Sequence, residues 1–245
     1  MSQASIDISS LLQSKRESVS AIRIRGFCAK DDLDSCVQFQ EGHLDVLRSF
    51  GFKVSSTKED WMISERVFVV IVESLCGSKT YGGARIELID PNRKLPIQLA
   101  IQDLDSGIND FVNGLSGSRS GELCGLWNSV AVAGMGIGSV YSIRAAIALG
   151  LIRDVDSLIA LCSVHSFKMA SSFGFSLVNN IGQNGVVYYE GAKQNAHITF
   201  QPSVKELTSA TQNEVEKIRD LVSRPNQIII ENRNEKELEI HYQLS

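Results

Sequence analysis

The sequence has no apolar run near the roughly 20 residues needed to cross a lipid bilayer, and its N-terminus is polar and serine-rich. It also lacks a lysine- or arginine-rich block, and its net charge is −4. Nucleic-acid binding needs a local basic surface to neutralise phosphates. We therefore expect a cytoplasmic protein that binds neither a membrane nor nucleic acid.

Paired cysteines are also missing. The five cysteines are odd in number and include no Cys-x-x-Cys pair. These features indicate neither a disulfide framework nor a zinc site, so we expect buried free thiols and no metal. The cysteines are Cys28, Cys36, Cys76, Cys124 and Cys162.

The remaining composition is typical of a soluble globular protein, with 43% hydrophobic and 21% charged residues. Alternating or β-branched runs predict strands at 21–27, 65–72, 84–89, 157–162 and 186–189. After the first strand, Asp31 and Asp32 can cap a helix that reaches Phe50. Weak patterning predicts another short helix at 6–15.

Glycines and the C-terminal pattern suggest how these elements connect. Gly82 and Gly83 are available for the turn of a hairpin or for a bulge. The Gly/Ser-rich stretch 107–120 predicts a flexible connector. Beyond 204, a helical stripe stops at Pro225 and is followed by two strands, which predict a terminal β-hairpin.

The most informative segment runs from Glu122 to Phe175. An apolar strand-like run leads into the glycine-dense turn Ala133-Gly-Met-Gly-Ile-Gly-Ser139, and a helix, a second strand and a short helix follow. Such a turn presents several backbone N–H groups and a helix N-terminus to one phosphate group. The pattern therefore predicts anion capture.

This segment resembles the acyl-CoA N-acyltransferase superfamily, usually called GNAT. The glycines at 134, 136 and 138 match its pyrophosphate loop, and Phe173-Gly174-Phe175 matches the Gly-Phe that closes its following helix. The resemblance implies binding of acetyl-CoA or acyl-CoA by Ala133, Gly134, Met135, Gly136, Ile137, Gly138 and Ser139. It also implies that the preceding Asn128, Ser129 and Val130 hold the pantetheine arm. Ala133 replaces the long polar side chain usual at its position.

A narrower resemblance points to acyl-homoserine-lactone synthases and long-chain N-acyl amino acid synthases. Gly82-Gly-Ala-Arg85-Ile is similar to their Gly-x-x-Arg-Leu element, and Glu122-Leu-Cys-Gly125-Leu to their Glu-Ile/Leu-Ser-Arg-Phe/Leu strand. Gly125 stands where those enzymes have an arginine. A substrate-orienting cation is therefore missing.

Acyl transfer to an amine needs a base, a polarised carbonyl and a proton for the leaving thiolate. Glu122 is the candidate base, with a capping or ion-pair role as the alternative. Arg85 is a candidate for binding the acceptor's carboxylate, or else it pairs with an acid such as Glu87 or Glu122.

The proton donor is less defined, because Ala170 stands where the superfamily commonly has a tyrosine. His165, just beyond the second strand of the segment, is the candidate that we retain among the catalytic residues. Ser163, Tyr141 and water are the alternatives.

These features predict a mixed α/β (α+β) GNAT-like fold, with a largely antiparallel sheet flanked by helices. We expect an N-terminal segment at 1–20, the acyltransferase domain at 21–190, and a helix–hairpin extension at 191–245 packed on that domain. The expected function is acyl transfer, chiefly acetyl transfer, from CoA to a small-molecule amine.

Three alternatives stay open. One is a long-chain N-acyl amino acid synthase using acyl carrier protein, and another is a non-catalytic acyl-CoA-binding module. A homodimer formed through the terminal hairpin is compatible with either.

Overall fold

The computed structural model describes residues 19–49, 60–115, 117, 119–189, 193–233 and 236–245. The short helix expected at 6–15 lies outside this range. The strands are β1 Ala21–Cys28, β2 Val67–Glu73, β3 Thr80–Leu88, β4 Gly121–Asn128, β5 Leu158–Ser163, β6 Ser176–Leu177, β7 Val186–Tyr189, β8 Gln194–Gln201, β9 Asn226–Arg233 and β10 Lys236–Leu244. The helices are α1 Leu33–Ser49, α2 Pro96–Ile101, α3 Gly107–Gly114, α4 Ser139–Ile152, α5 Val164–Ser172 and α6 Gln212–Ser223.

One twisted sheet organises the described part of the chain. Its strand order is β6-β8-β5-β4-β3-β2-β1-β10-β9, and β7 also pairs with β8. The pairs β1–β10 and β4–β5 are parallel, and the other pairs are antiparallel. The expected mixed α/β fold with a largely antiparallel sheet is therefore confirmed.

Local sequence explains the main elements. All residues of β2 are buried, as its β-branched run predicts, because helices cover both faces of the sheet there. Asp32 starts α1 as expected: its Oδ1 accepts a hydrogen bond from the backbone N–H of Ser35 at 3.1 Å. Helix α4 is buried at every residue from Tyr141 to Gly150. It packs on β1, β2, β3 and β4 on one side and on α6 on the other.

The structure supports one of the two roles expected for Gly82 and Gly83 and overturns the prediction for 107–120. The β2–β3 turn is formed by 74–79, whereas Gly82 and Gly83 lie within β3. A Cβ on Gly82 would clash with Trp127 and Asn128 of β4, and one on Gly83 with Val70 of β2. The β2–β3 ladder shifts register next to Gly82, so the expected bulge is present. The stretch 107–120 begins with a helix, because buried Ile108 and Val112 outweigh its glycine and serine content.

The C-terminal helix and hairpin are joined to this fold. Strand β10 pairs with β1, and Leu238, Ile240, Tyr242 and Leu244 are buried. On the same face of the sheet, the buried Arg144 of α4 donates to Glu214 of α6 through Nε at 2.8 Å and Nη2 at 3.0 Å. Its Nη1 donates to Glu231 of β9 at 3.0 Å. One guanidinium therefore connects α4 to both C-terminal elements.

The described helices are each too short or too polar to span a membrane.

We expect Glu214→Ala to lower the free energy of unfolding by roughly 3 kcal/mol, because the buried Arg144 would lose its bidentate partner. Glu216→Ala, on the exposed face of the same helix, is the control and is expected to change stability by less than about 0.5 kcal/mol. Urea unfolding of both variants measures the difference. Equal stability of the two variants would show that the Arg144 pair contributes little.

Candidate active site

The central opening of the molecule arises where β4 and β5 separate. These parallel strands are paired only at Gly121–Leu158 and Glu122–Ile159. Beyond that point β4 contains Gly125 with φ of 59°, a left-handed conformation that favours glycine, and β5 leads into α5. The glycine bulge and the early end of pairing leave a gap between two neighbouring strands.

A cavity of about 790 Å³ occupies this gap. Its walls come from α1, α2, β4, β5, α4, α5 and β8, and most of the side chains are apolar. Polar side chains at the wall include His43, Glu122, Asn128, Ser139, Ser163 and Gln194. An apolar cleft with a few polar groups is the usual form of a small-molecule site.

Glu122 is buried at the wall of this cavity. Its Oε2 accepts a hydrogen bond from the backbone N–H of Ile97, in the first turn of α2, at 2.8 Å. Burial raises the pKa of the Glu122 carboxyl to about 8, and the Glu87 charge adds to the rise, while the Ile97 N–H and the Arg85 charge oppose it. The carboxyl therefore caps a helix and also titrates near neutral pH, as a general base does.

The structure places Arg85 in an ion pair and not at the cavity wall. Its Nε donates to Glu87 Oε1 at 2.6 Å, and its guanidinium lies 4.5 Å from the ring centre of Trp61. Glu87 stands opposite Glu122 in the β3–β4 ladder. Arg85 thus belongs to the charged cluster next to Glu122, the second of its two expected roles.

The glycine-dense turn joins β4 to α4. Gly134 and Gly136 have φ of 77° and 87°. A Cβ atom added to either would have no heavy atom within 4 Å beyond its chain neighbours. With its amide oriented to satisfy its hydrogen bonds, Asn128 Oδ1 accepts from the backbone N–H of Ser139 at 3.0 Å and from its hydroxyl at 3.1 Å. The end of β4 is thereby tied to the first residue of α4, beside an open turn.

The neighbouring Val130 is 67% exposed, and Ala133 and Gly134 are also exposed. Asn128 and Ser139 line the main cavity together with Ile143 of α4. The residues predicted to bind the cofactor therefore form a surface turn whose two ends reach the cavity.

The candidate proton donors differ in whether they line the cavity. Ser163 lines the cavity, and its Oγ lies 3.0 Å from Ser166 Oγ. His165 is exposed on α5 and is not among the residues that line the cavity, and Tyr141 is buried in the core with Arg144 over its ring. Ala170 lines the cavity without offering a donor.

Two wall residues were missed by sequence reasoning. His43 of α1 lines the cavity, and burial, together with the Arg85 charge, lowers its pKa to about 4. Trp127 of β4 also lines the cavity. The helical spacing of His43 with Val46 and Leu47 was visible, but nothing in the sequence told which face of α1 meets a cavity.

No group of three or more His, Cys, Asp or Glu side chains in the described residues is placed to hold a metal ion.

No protein-family model matches this sequence, and no curated protein does either. Solved structures match its fold. The N-acyl amino acid synthase FeeM from uncultured soil microbes superposes with a TM-score of 0.59 at 13% identity, over 79% of this chain and 98% of its own. The CoA-dependent acyl-homoserine lactone synthase MesI gives 0.51 at 13% identity, over 82% of this chain and 95% of its own.

TofI, solved in a ternary complex with an inhibitor and MTA, also gives a TM-score of 0.51 at 13% identity, over 80% of this chain and 96% of its own. This chain has a GNAT-like fold. The GNAT-like fold expected from the glycine turn and the two synthase-like motifs is therefore confirmed. At these identities the match establishes the fold alone.

The raised Glu122 pKa makes stability depend on pH. Between the ordinary value of 4.5 and about 8, the folded state holds a proton that the unfolded state has released. The free energy of unfolding therefore falls as pH rises through this window. Glu122→Gln removes the titration and keeps an oxygen for the Ile97 N–H.

We expect Glu122→Gln to gain on the order of 3 kcal/mol relative to the unmodified protein between about pH 5.5 and about pH 8.5. Urea unfolding at several pH values measures this difference. Parallel pH dependence of the two proteins would mean that Glu122 is ionised in the folded state throughout.

Proposed function

We propose that this protein is an N-acyltransferase that moves an acyl group from acetyl-CoA or another acyl-CoA to a small-molecule amine. The observation that carries the proposal is the apolar cavity between the separated β4 and β5, with Glu122 at its wall and the open glycine turn at the end of β4. The fold shared with FeeM and MesI, which are named as acyl synthases, supports it.

The glycine turn supplies the anion-binding end of the site. The backbone N–H groups of Ala133 and Met135 bond to carbonyl oxygens of 130 and 132, so we assign the anion to the N–H groups at 136–138, where the positive φ of Gly136 turns the backbone. The start of α4 adds the positive end of its helix dipole. We assign the CoA pyrophosphate to this turn. Backbone contacts are sufficient for this role, so Ala133 need not contribute a side chain.

The pantetheine arm then runs along the free edge of β4 toward the cavity. Past Glu122, β4 has no hydrogen-bonded partner on its β5 side among the described strands, so this edge can bond to an extended ligand. The arm passes Asn128 and brings the thioester to the stretch around Gly125. The apolar walls beyond it accommodate the acyl group, and the size of the cavity permits groups longer than acetyl.

Chemistry follows from the position of Glu122. As the amine nitrogen attacks the thioester carbonyl carbon, a C–N bond forms and the C–S bond breaks. Glu122 accepts the proton that the amine loses, directly or through water, and its pKa of about 8 suits this transfer near neutral pH. The leaving thiolate takes a proton from water or from Ser163, the hydroxyl at the cavity wall.

Acyl carrier protein is the alternative donor, because it presents the same pantetheine arm. We infer from the sequence features that the reaction takes place in the cytoplasm.

We expect Glu122→Gln to lower kcat/KM for amine acylation by roughly 10²- to 10⁴-fold, the usual contribution of a general base. Acyl-CoA binding should persist, because the turn at 133–139 is unchanged. Thiol release from acetyl-CoA and longer acyl-CoAs with a panel of amines measures turnover, and native mass spectrometry measures binding. The exposed Glu206→Gln is the control.

In the unmodified enzyme, kcat/KM should rise with pH up to about 8 and level off above it. This rise with pH should disappear in Glu122→Gln. Undiminished turnover in the variant would exclude Glu122 as the base. Acyl-CoA binding without thiol release from any amine would favour a non-catalytic acyl-CoA-binding module instead.

A further inference from the structure

Trp127 presents a buried hydrogen-bond donor that the described protein leaves unused. The residue is 4% exposed, and no acceptor among the described residues takes the proton of its Nε1. An indole N–H can only donate, so burial without an acceptor is unfavourable. Trp61 has a second such nitrogen, so the feature that sets Trp127 apart is its position at the cavity wall.

The indole is also held firmly in place. Its ring packs edge-on against Phe39, with centroids 6.0 Å apart and an interplanar angle of 74°. Gly42, in the interior of α1, faces the other end of the ring, and a Cβ added there would lie 2.1 Å from Trp127 Cη2. Glycine destabilises a helix interior, but any larger residue at this position of α1 would displace the indole.

Trp127 stands at the wall of the main cavity. It lies on β4 between Gly125 and Asn128, along the edge to which we assign the pantetheine arm. His43, which follows Gly42 in α1, lines the same cavity. A ligand in this cavity can therefore supply an acceptor that the described protein does not provide.

We propose that Trp127 is a substrate-binding residue whose Nε1–H donates a hydrogen bond to a carbonyl or carboxylate oxygen of a molecule bound in the main cavity. This assignment rests on the proposed acyltransferase function. The oxygen belongs either to the acyl donor, as a thioester or amide carbonyl, or to the amine acceptor. The fixed ring makes the donor preorganised, so little conformational freedom is lost on binding.

Trp61 provides a matched comparison within the same aromatic cluster. It is 2% exposed, packs on Phe39 with the same 6.0 Å and 74° geometry, and its Nε1 likewise has no acceptor among the described residues. Its ring carries the Arg85 guanidinium, however, and Trp61 is not among the residues that line the main cavity. Removal of its N–H should therefore not affect substrate binding.

The first test compares Trp127→Phe with Trp61→Phe in steady-state kinetics. Trp127→Phe should raise the KM of one of the two substrates, with kcat little changed. The increase should be roughly 5-fold if the lost hydrogen bond is to a carbonyl oxygen and roughly 50-fold if it is to a carboxylate. A higher KM for acyl-CoA assigns the oxygen to the donor, and a higher KM for the amine assigns it to the acceptor. KM values in Trp127→Phe equal to those in Trp61→Phe would overturn the proposal.

The second test does not alter Trp127. The chain has two tryptophans, so Trp61→Phe leaves Trp127 as its only indole. Addition of acyl-CoA or of the amine should shift the fluorescence emission of this variant as the ligand enters the cavity beside Trp127. The measurement remains decisive if Trp127→Phe fails to fold.

The two proposals fail in different ways. Turnover and acyl-CoA binding with no emission shift from either ligand would overturn the role of Trp127 and leave the acyltransferase function standing. Absence of binding of both acyl-CoA and acyl carrier protein by native mass spectrometry would overturn both.

Discussion

The early separation of β4 from β5 is the constraint on which the rest of this structure depends. Two parallel strands in the middle of a sheet would normally pair along their length, because unpaired backbone groups inside a protein are unfavourable. Here they pair at two positions only. The glycine bulge at Gly125 bends one strand, and the capped start of α5 ends the other. The resulting gap creates a cavity and leaves a strand edge available to an extended ligand.

Two buried carboxyl groups lie where β4 and β5 begin to separate, and they provide the ionisable groups of the site. Glu87 and Glu122 face each other across the β3–β4 ladder, and only Glu87 has a guanidinium bonded to it directly. Glu122 has one backbone N–H and raised proton affinity instead. The two neighbouring carboxyls thus differ: Glu87 pairs with Arg85 and Arg93, whereas Glu122 can exchange a proton near neutral pH.

Much of the fold was predictable because its signals are local. Three elements are each predicted by the residues within them: β2 by its β-branched run, β10 by its alternation, and the turn before α4 by its glycines. The helix at Gly107–Gly114 was missed because its stability comes from Ile108 and Val112 packing against distant residues. Glu122 could be singled out from its motif. Neither His43 nor Trp127 could, because the packing of α1 against β4 is a long-range result.

The central claim is that the gap between β4 and β5, with the glycine turn, binds an acyl thioester. Hydrogen–deuterium exchange with and without a hydrolysis-resistant thioether analogue of acyl-CoA tests it most directly. The account predicts slower exchange of backbone amides in 133–139 and along the free edge of β4, with little change in β9 and β10. Unchanged exchange in the turn and in β4 under conditions where the analogue binds would contradict it.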